Sequence, residues 1–277
     1  MAVGLAERSR FTGTGSEEPT VPERDDAPVG APCWVDLLTT DPGKSREFYG
    51  RLFGWTVEDP GEDYGGYVNF LAEGIHVAGC MRNDGSAGVP DLWSVYLATD
   101  DAEATVARAV EHGGQVMVPA MDVMTLGRMA VVVDVGGAVI GMWQPGEHRG
   151  FGIIGEPGAP AWFELHTRDY EASLDFYREV FRWTTRVESD SPEFRYTTLD
   201  VDEEQLAGVM DAAAFLPDGV PAGWSVYFGV ADTDVALSEI VALGGEVLMG
   251  AEDTPYGRLA TAADPTGAVF KLVAPTS

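Results

Sequence analysis

A chain of 277 residues carries 45 acidic against 17 basic side chains, a net charge of −28. Phosphate backbones and anionic lipid surfaces repel such a chain, which excludes nucleic acid and membrane surfaces as partners. No run approaches the roughly 20 apolar residues of a membrane span, and the first residues lack the apolar core of a secretory signal, so a cytoplasmic protein is expected.

Residues 1–30, rich in Gly, Ser, Glu, Pro and Asp, read as a disordered tail. A first strand is expected over Cys33–Thr40, alternating in the manner of a half-buried strand. A helix follows over Lys44–Phe53, with Asp41 as N-cap and Pro42 at its first position. Three more strands, Trp55–Asp59, Tyr67–Ala72 and His76–Met81, complete a βαβββ unit. A polar loop leads to a second such unit, with strand Ser94–Thr99, helix Ala102–His112, and strands Val116–Met121, Arg128–Val135 and Ala138–Gln144. Residues 31–145 therefore form a first domain, and the Gly/Pro-rich stretch 146–160 is a linker.

Residues 161–277 repeat this order as a second domain. Trp162–Trp183 matches Trp34–Trp55 at nine of 22 positions, among them the tryptophans, Asp41/Asp169, Ser45/Ser173 and Tyr49/Tyr177. Trp93-Ser-Val-Tyr returns as Trp224-Ser-Val-Tyr, and both following helices stop at Gly-Gly pairs, 113–114 and 244–245. The fold class is α+β: four βαβββ modules paired into two tandem curved-sheet cups, helices outside and concave faces open to a ligand. Cys33 and Cys80 fall within predicted strands and read as small buried hydrophobes.

Which position of each strand faces into a cup is what the resemblance described below implies, and period two then extends that assignment along the strand. With Trp162 facing inward, Glu164 and His166 face inward too, while Phe163 and Leu165 pack on the helix. Ser225, Tyr227 and Lys271 join them in the second cup. The first cup holds Trp34, Asp36, Leu38, Ser94, Tyr96, Gly141 and Trp143. The first is aromatic with one acid; the second adds an imidazole and an ammonium group. Glu164 and Lys271 read either as an ion pair satisfying each other or as a ligand-facing base and its cation. His166 is either a structural hydrogen-bonding residue or an assistant in proton transfer. The tryptophans and tyrosines are either core or an aromatic shelf for a planar ligand. The Gly-Arg pairs at 127–128 and 257–258 read as turns, with the arginines at the cup rim. His76, His112 and His148 carry no signal.

The strand ending in Asp, the helix Ser-x-x-Phe-Tyr-x-x-x-Phe-x-Trp, and Gly-Arg-x-Ala before Asp-Pro-x-Gly-Ala-Val-Phe resemble the vicinal oxygen chelate superfamily. That group includes glyoxalases, bleomycin-resistance proteins and extradiol dioxygenases. More narrowly, the chain resembles the two-domain actinobacterial branch called glyoxalase-like or "hydroxylase". The resemblance covers residues 33–275 and implies a small aromatic or polyketide-like ligand and a place in antibiotic biosynthesis, as monomer or homodimer. It also implies a divalent metal in the cup, whose ligand positions fall here on Trp34, Ser94, Trp162, Ser225, Gly141 and Lys271. Tryptophan, glycine and an ammonium do not ligate such metals and serine does so poorly. No metal and no other cofactor is expected.

The site expected from this is catalytic Glu164, His166 and Lys271, with Trp162, Ser225, Tyr227, Trp34, Asp36, Tyr96 and Trp143 against the ligand. The function expected is metal-independent acid/base chemistry in the second cup, by an enzyme or an accessory protein. The alternative is a binding protein that sequesters a flat antibiotic; a metal-dependent glyoxalase or dioxygenase fits the residues less well.

Overall fold

The computed structural model describes residues 27–86, 88–201 and 203–275. The first domain runs β1 (Pro32–Thr39), α1 (Pro42–Phe53), β2 (Thr56–Glu58), β3 (Val68–Ala72) and β4 (Ile75–Arg82). It continues with β5 (Leu92–Ala98), α2 (Ala102–Glu111), β6 (Gln115–Val123), β7 (Gly127–Val133) and β8 (Val139–Pro145). The second runs β9 (Pro160–Thr167), α3 (Tyr170–Phe181), β10 (Thr185–Asp190), β11 (Arg195–Val201) and β12 (Glu204–Asp211). It ends with β13 (Gly223–Gly229), α4 (Thr233–Ala242), β14 (Glu246–Thr254), β15 (Gly257–Ala263) and β16 (Val269–Ala274). All four βαβββ modules are present.

Each domain is one open eight-stranded sheet, ordered β2-β3-β4-β1-β5-β8-β7-β6 and β10-β11-β12-β9-β13-β16-β15-β14. The two modules of a domain meet where β1 lies antiparallel to β5, and β9 to β13. Asp41, Asp101 and Asp232 cap their helices, each accepting from the backbone N–H three residues on. Asp169, expected to do the same, makes no side-chain cap bond. Its backbone, at φ −97° and ψ 54°, is less extended than at Asp101 or Asp232. Gly113 and Gly244 take the left-handed conformation after α2 and α4, which is why glycine ends those helices.

The helices lie on the convex side of each cup, and the two convex sides share one helical layer. α1 packs against α4, and α2 against α3. The aromatic stripe of α1 reaches into the second domain: the Phe53 and Phe228 rings lie 5.2 Å apart, and Tyr49 and Phe270 5.7 Å. A polar clasp crosses the same layer. The Tyr177 hydroxyl accepts from Trp224 at 2.8 Å and donates to Asp134 of the first domain at 2.9 Å. Its repeat partner Tyr49 accepts from Trp93 at 3.0 Å and is hydrogen-bonded to Asp264 of the second domain. The repeated tryptophans also serve the junction, Trp55 Nε1 donating to Gly158 O and Trp183 Nε1 to Gly30 O. Many of the positions shared by the two copies are thus interface positions.

Two sequence readings change here, and the linker gains detail. Residues 1–26 of the expected disordered tail lie outside the described residues, but Gly30 is docked, its N–H donating to Ala98 O. The linker is packed against the first domain: Phe151 and Ile153 are buried, and the Phe151 and Gly152 N–H groups donate to Cys33 O and His76 O. Arg128 and Arg258 are not at the cup rim. Arg128 pairs with Glu103 at the start of α2 and with Asp122, and Arg258 with Asp234 at the start of α4 and with Asp253. Cys33 and Cys80 are both buried, as expected, and the Cys33 thiol donates to Tyr96 O at 3.4 Å. No helix among the described residues is long and apolar enough to cross a membrane.

Candidate functional site

Strand β9 sorts its side chains by alternation. Phe163 and Leu165 are fully buried toward the helices, leaving Trp162, Glu164 and His166 on the concave face. Antiparallel β13 sets Ser225 opposite Glu164 and Tyr227 opposite Trp162, and parallel β16 sets Lys271 beside Tyr227. The expected residues of the second cup therefore converge.

Glu164 is 4 % exposed and sits at the centre of this group. Its Oε1 accepts from Tyr227 Oη at 2.8 Å and from Lys271 Nζ at 3.3 Å, and lies 2.6 Å from His166 Nε2. Its Oε2 accepts from Tyr196 Oη at 2.8 Å, and that hydroxyl accepts from Trp162 Nε1 at 2.9 Å. Lys271 Nζ also donates to Tyr227 Oη at 2.9 Å, lies 3.1 Å from His166 Nε2, and covers the Tyr227 ring at 4.7 Å. Tyr227 is therefore a hydrogen-bonding partner of Glu164 whose ring is occupied by Lys271.

Burial alone would raise the Glu164 carboxyl. The His166 hydrogen bond, the Lys271 charge and the Tyr227 hydroxyl outweigh it and bring the carboxyl down to about 2. Burial lowers Lys271, and Glu164 only partly opposes this. Tyr196 and Tyr227 are pushed up by burial and by the Glu164 charge, so both remain proton donors.

The first cup repeats this frame without a cation among its hydrogen-bonding partners. Asp36 Oδ1 accepts from Tyr67 Oη at 2.8 Å and Trp34 Nε1 at 2.9 Å, and Asp36 is also hydrogen-bonded to Tyr96. Burial is the largest influence and raises its carboxyl, the hydrogen bonds from Tyr67, Trp34 and Tyr96 opposing it. Trp143 Nε1 donates to His148 O at 2.9 Å, and the His148 ring stands edge-on to Trp34 at 4.3 Å between centroids. Burial, with His76 nearby, lowers His148 to about 4. The linker thus lines this cup with His148, and Phe151 lies 5.6 Å from Trp34.

The sequence reading passed over Tyr67, Tyr196 and His148. Both tyrosines reach across a neighbouring strand because it carries glycine beside the acid. Gly79 pairs with Asp36 and Gly208 with Glu164, and a Cβ at either position would overlap the tyrosine hydroxyl. The spacing of Tyr67 and Tyr196, close to that of the repeat, was the available signal.

The second cup has an aromatic mouth. Phe215 is 56 % exposed and stands edge-on to His166 at 5.9 Å, while Tyr256, 59 % exposed, tilts over Tyr196 at 6.4 Å. The Phe215 loop is held by Arg168, whose guanidinium donates to Leu216 O and Val220 O. A hollow of about 190 Å³ between α1 and α4, lined by Lys44, Phe48, Arg51 and Leu243 among others, lies on the interdomain side, away from both cups.

Two tandem βαβββ pairs with acid-centred cups define the class. The chain belongs to the Glyoxalase/Bleomycin resistance protein/Dioxygenase superfamily, whose sequence profile matches residues 33–142 and 159–272. It is 36 % identical over 260 residues to the protein designated glyoxylase CFP32 of Mycobacterium tuberculosis, covering 92 % of this chain and 98 % of that one. It is also 36 % identical over 260 residues to the anthracycline biosynthesis protein DnrV of Streptomyces peucetius, covering 88 % and 93 %. Among solved structures, the Mn(II)-bound glyoxalase of Novosphingobium aromaticivorans superposes with a TM-score of 0.62 at 16 % identity, covering 90 % of this chain and 83 % of that one. That likeness speaks to the fold alone.

The metal that the superfamily implies does not fit this donor set. Glu164 is enclosed by four hydrogen-bonding groups, among them the His166 imidazole, and the superfamily's ligand positions in this cup carry the Trp162 indole, the Ser225 hydroxyl and the Lys271 amine. Among the described residues no group of three His, Cys, Asp or Glu side chains is placed to hold an ion.

Proposed function

We propose that this chain binds a planar aromatic, polyketide-like compound of secondary metabolism in the second cup and acts on it by acid/base chemistry without a metal. The observation that carries this reading is the contrast between the cups: the same Trp–acid–Tyr–Tyr frame is repeated, but only Glu164 has an imidazole and an amine against it. Glu164 is the anchoring and proton-accepting group. His166, 2.6 Å away and partly open to solvent, passes the proton on. Trp162, Phe215 and Tyr256 offer aromatic surface for a flat ligand. The similarity to an anthracycline biosynthesis protein supports a ligand of that chemical class.

The test uses a hydroxylated anthraquinone, with binding followed by tryptophan quenching and products by chromatography. Glu164→Gln should weaken binding or turnover at least tenfold, about 1.4 kcal/mol, and Asp36→Asn much less. Binding without product would leave a sequestering protein. Wild-type behaviour of Glu164→Gln combined with Lys271→Met would show that the pair only neutralises itself, and would end the case for this cup.

A further inference from the structure

Resting on the reading of the second cup as the ligand-binding one, we propose that Glu188, with Gln205 and Thr198, forms a second polar subsite at the far end of that cup, which takes a protonated amine carried by the flat ligand. The sheet sets the two ends in one row. Glu164 on β9 pairs with Gly208 on β12, Gly208 with Thr198 on β11, and Thr198 with Arg186 on β10. Paired residues share a face, so Thr198 stands on the concave side two strand spacings, roughly 10 Å, from the acid. Gly208 puts no side chain between them, and the Tyr196 ring crosses that gap as a floor. A flat compound lying on Tyr196 with one end at Glu164 and His166 brings its other end to Glu188.

A β-bulge delivers Glu188. The register of β10 against β11 shifts between Val187 and Ser189, and Glu188 is the residue left outside the ladder. Its carboxylate turns onto the concave face, where Oε1 accepts from Arg186 Nε at 2.7 Å, Gln205 Nε2 at 2.6 Å and Thr198 Oγ1 at 3.4 Å. Glu188 Oε2 and the Gln205 amide oxygen have no hydrogen-bonding partner among the described residues. Strand β2 of the first cup runs beside β3 in unbroken register and presents no such residue. Tyr256 bounds the corner: burial raises its phenol, and so do the charges of Glu188 and Glu164, between which it stands.

Charge decides what the open oxygens take. Glu188 and Asp200 share one guanidinium, Arg186 reaching Asp200 at 3.2 Å, and no other cation pairs with either among the described residues. One negative charge is left over. The Glu188 and Asp200 side chains are 14 % and 17 % exposed, so salt screens that charge less than it screens a surface carboxylate. An alcohol would add a hydrogen bond alone, whereas an ammonium adds charge-assisted ones and cancels the charge. Glu164 already has Lys271 against it, so an amine is drawn to the far end.

The probes are 2-(aminomethyl)anthraquinone and 2-(hydroxymethyl)anthraquinone, alike in rings and length, with binding followed by tryptophan quenching at pH 7 and physiological salt. The amine should bind about tenfold or more tightly than the alcohol, as a charged partner does against a neutral one. Glu188→Gln keeps the shape of the side chain and should bring the two probes to within about twofold, with the alcohol unchanged as the report of an intact cup. Because the whole chain carries −28, Glu111→Gln on α2 controls for general attraction of cations and should leave the preference in place. No preference in the wild type, a preference that survives Glu188→Gln, or equal loss of both probes in that variant overturns the subsite. If Glu164→Gln still weakens both probes, the cup stands without it. Failure of both probes to bind the wild type refutes the cup as well.

Discussion

Glu164→Gln and Asp36→Asn should move stability in opposite directions, because the two buried acids differ in what faces them. The Glu164 carboxyl falls from an ordinary 4.5 to about 2 on folding, which corresponds to roughly 3 kcal/mol of stabilisation at pH 7. A group lowered in the folded state contributes fully above its unfolded value and loses that contribution as pH falls toward its folded value. The difference between wild type and Glu164→Gln should therefore be roughly 3 kcal/mol at pH 7 and less than half of that at pH 3. Asp36 is raised, so its sign is reversed. Ionising it costs stability as pH climbs past the ordinary carboxyl range, and Asp36→Asn should gain on wild type over that interval. Urea unfolding at pH 3, 5 and 7 measures both, and subtraction cancels the other acidic residues. A Glu164→Gln difference that is the same at pH 3 and pH 7 would refute the ionised, partnered carboxylate. An Asp36→Asn variant as unstable at pH 7 as Glu164→Gln would refute the contrast between cups.

Three further outcomes are expected. Tyr177→Phe leaves the Trp224 N–H and one Asp134 oxygen without their shared hydroxyl, and should cost about 1–3 kcal/mol in urea unfolding with little effect on anthraquinone binding. Gly208→Ala forces Tyr196 off Glu164, and should weaken anthraquinone binding severalfold more than Gly250→Ala, whose added methyl meets open space. Elemental analysis should find no stoichiometric transition metal, and EDTA should leave the melting temperature unchanged; a bound metal at one per chain would overturn the donor argument.

The sequence carried the second cup further than the first. Trp162 and Lys271 fall on the superfamily's ligand positions, and Glu164 and His166 then follow from alternation along one strand, so the resemblance and local spacing together were enough. Tyr196 lies on another strand and reaches the acid over Gly208, a relation that only strand order and a missing side chain reveal. His148 carries no signal in the sequence: it follows the last strand of its domain, and nothing local says that the linker turns back to Trp34. The repeated aromatics gave the helices correctly but not their destination. Phe53 has the same periodicity whether it packs on its own sheet or, as it also does, against Phe228 of the other.

The clasp through Tyr49, Tyr177 and their two partner aspartates has a consequence for how the cups can differ. Were the same architecture assembled from two identical short chains, each change in one cup would appear in the other, and a lysine against one acid would mean a lysine against both. Joining the halves in one chain keeps the reciprocal junction while releasing the cups from that identity. One cup then keeps a hydrogen-bonded acid lined by its own linker, and the other gathers an imidazole and an amine around a carboxylate. The junction stays symmetric, so chemistry can be tuned on one side without renegotiating the contacts that hold the molecule together.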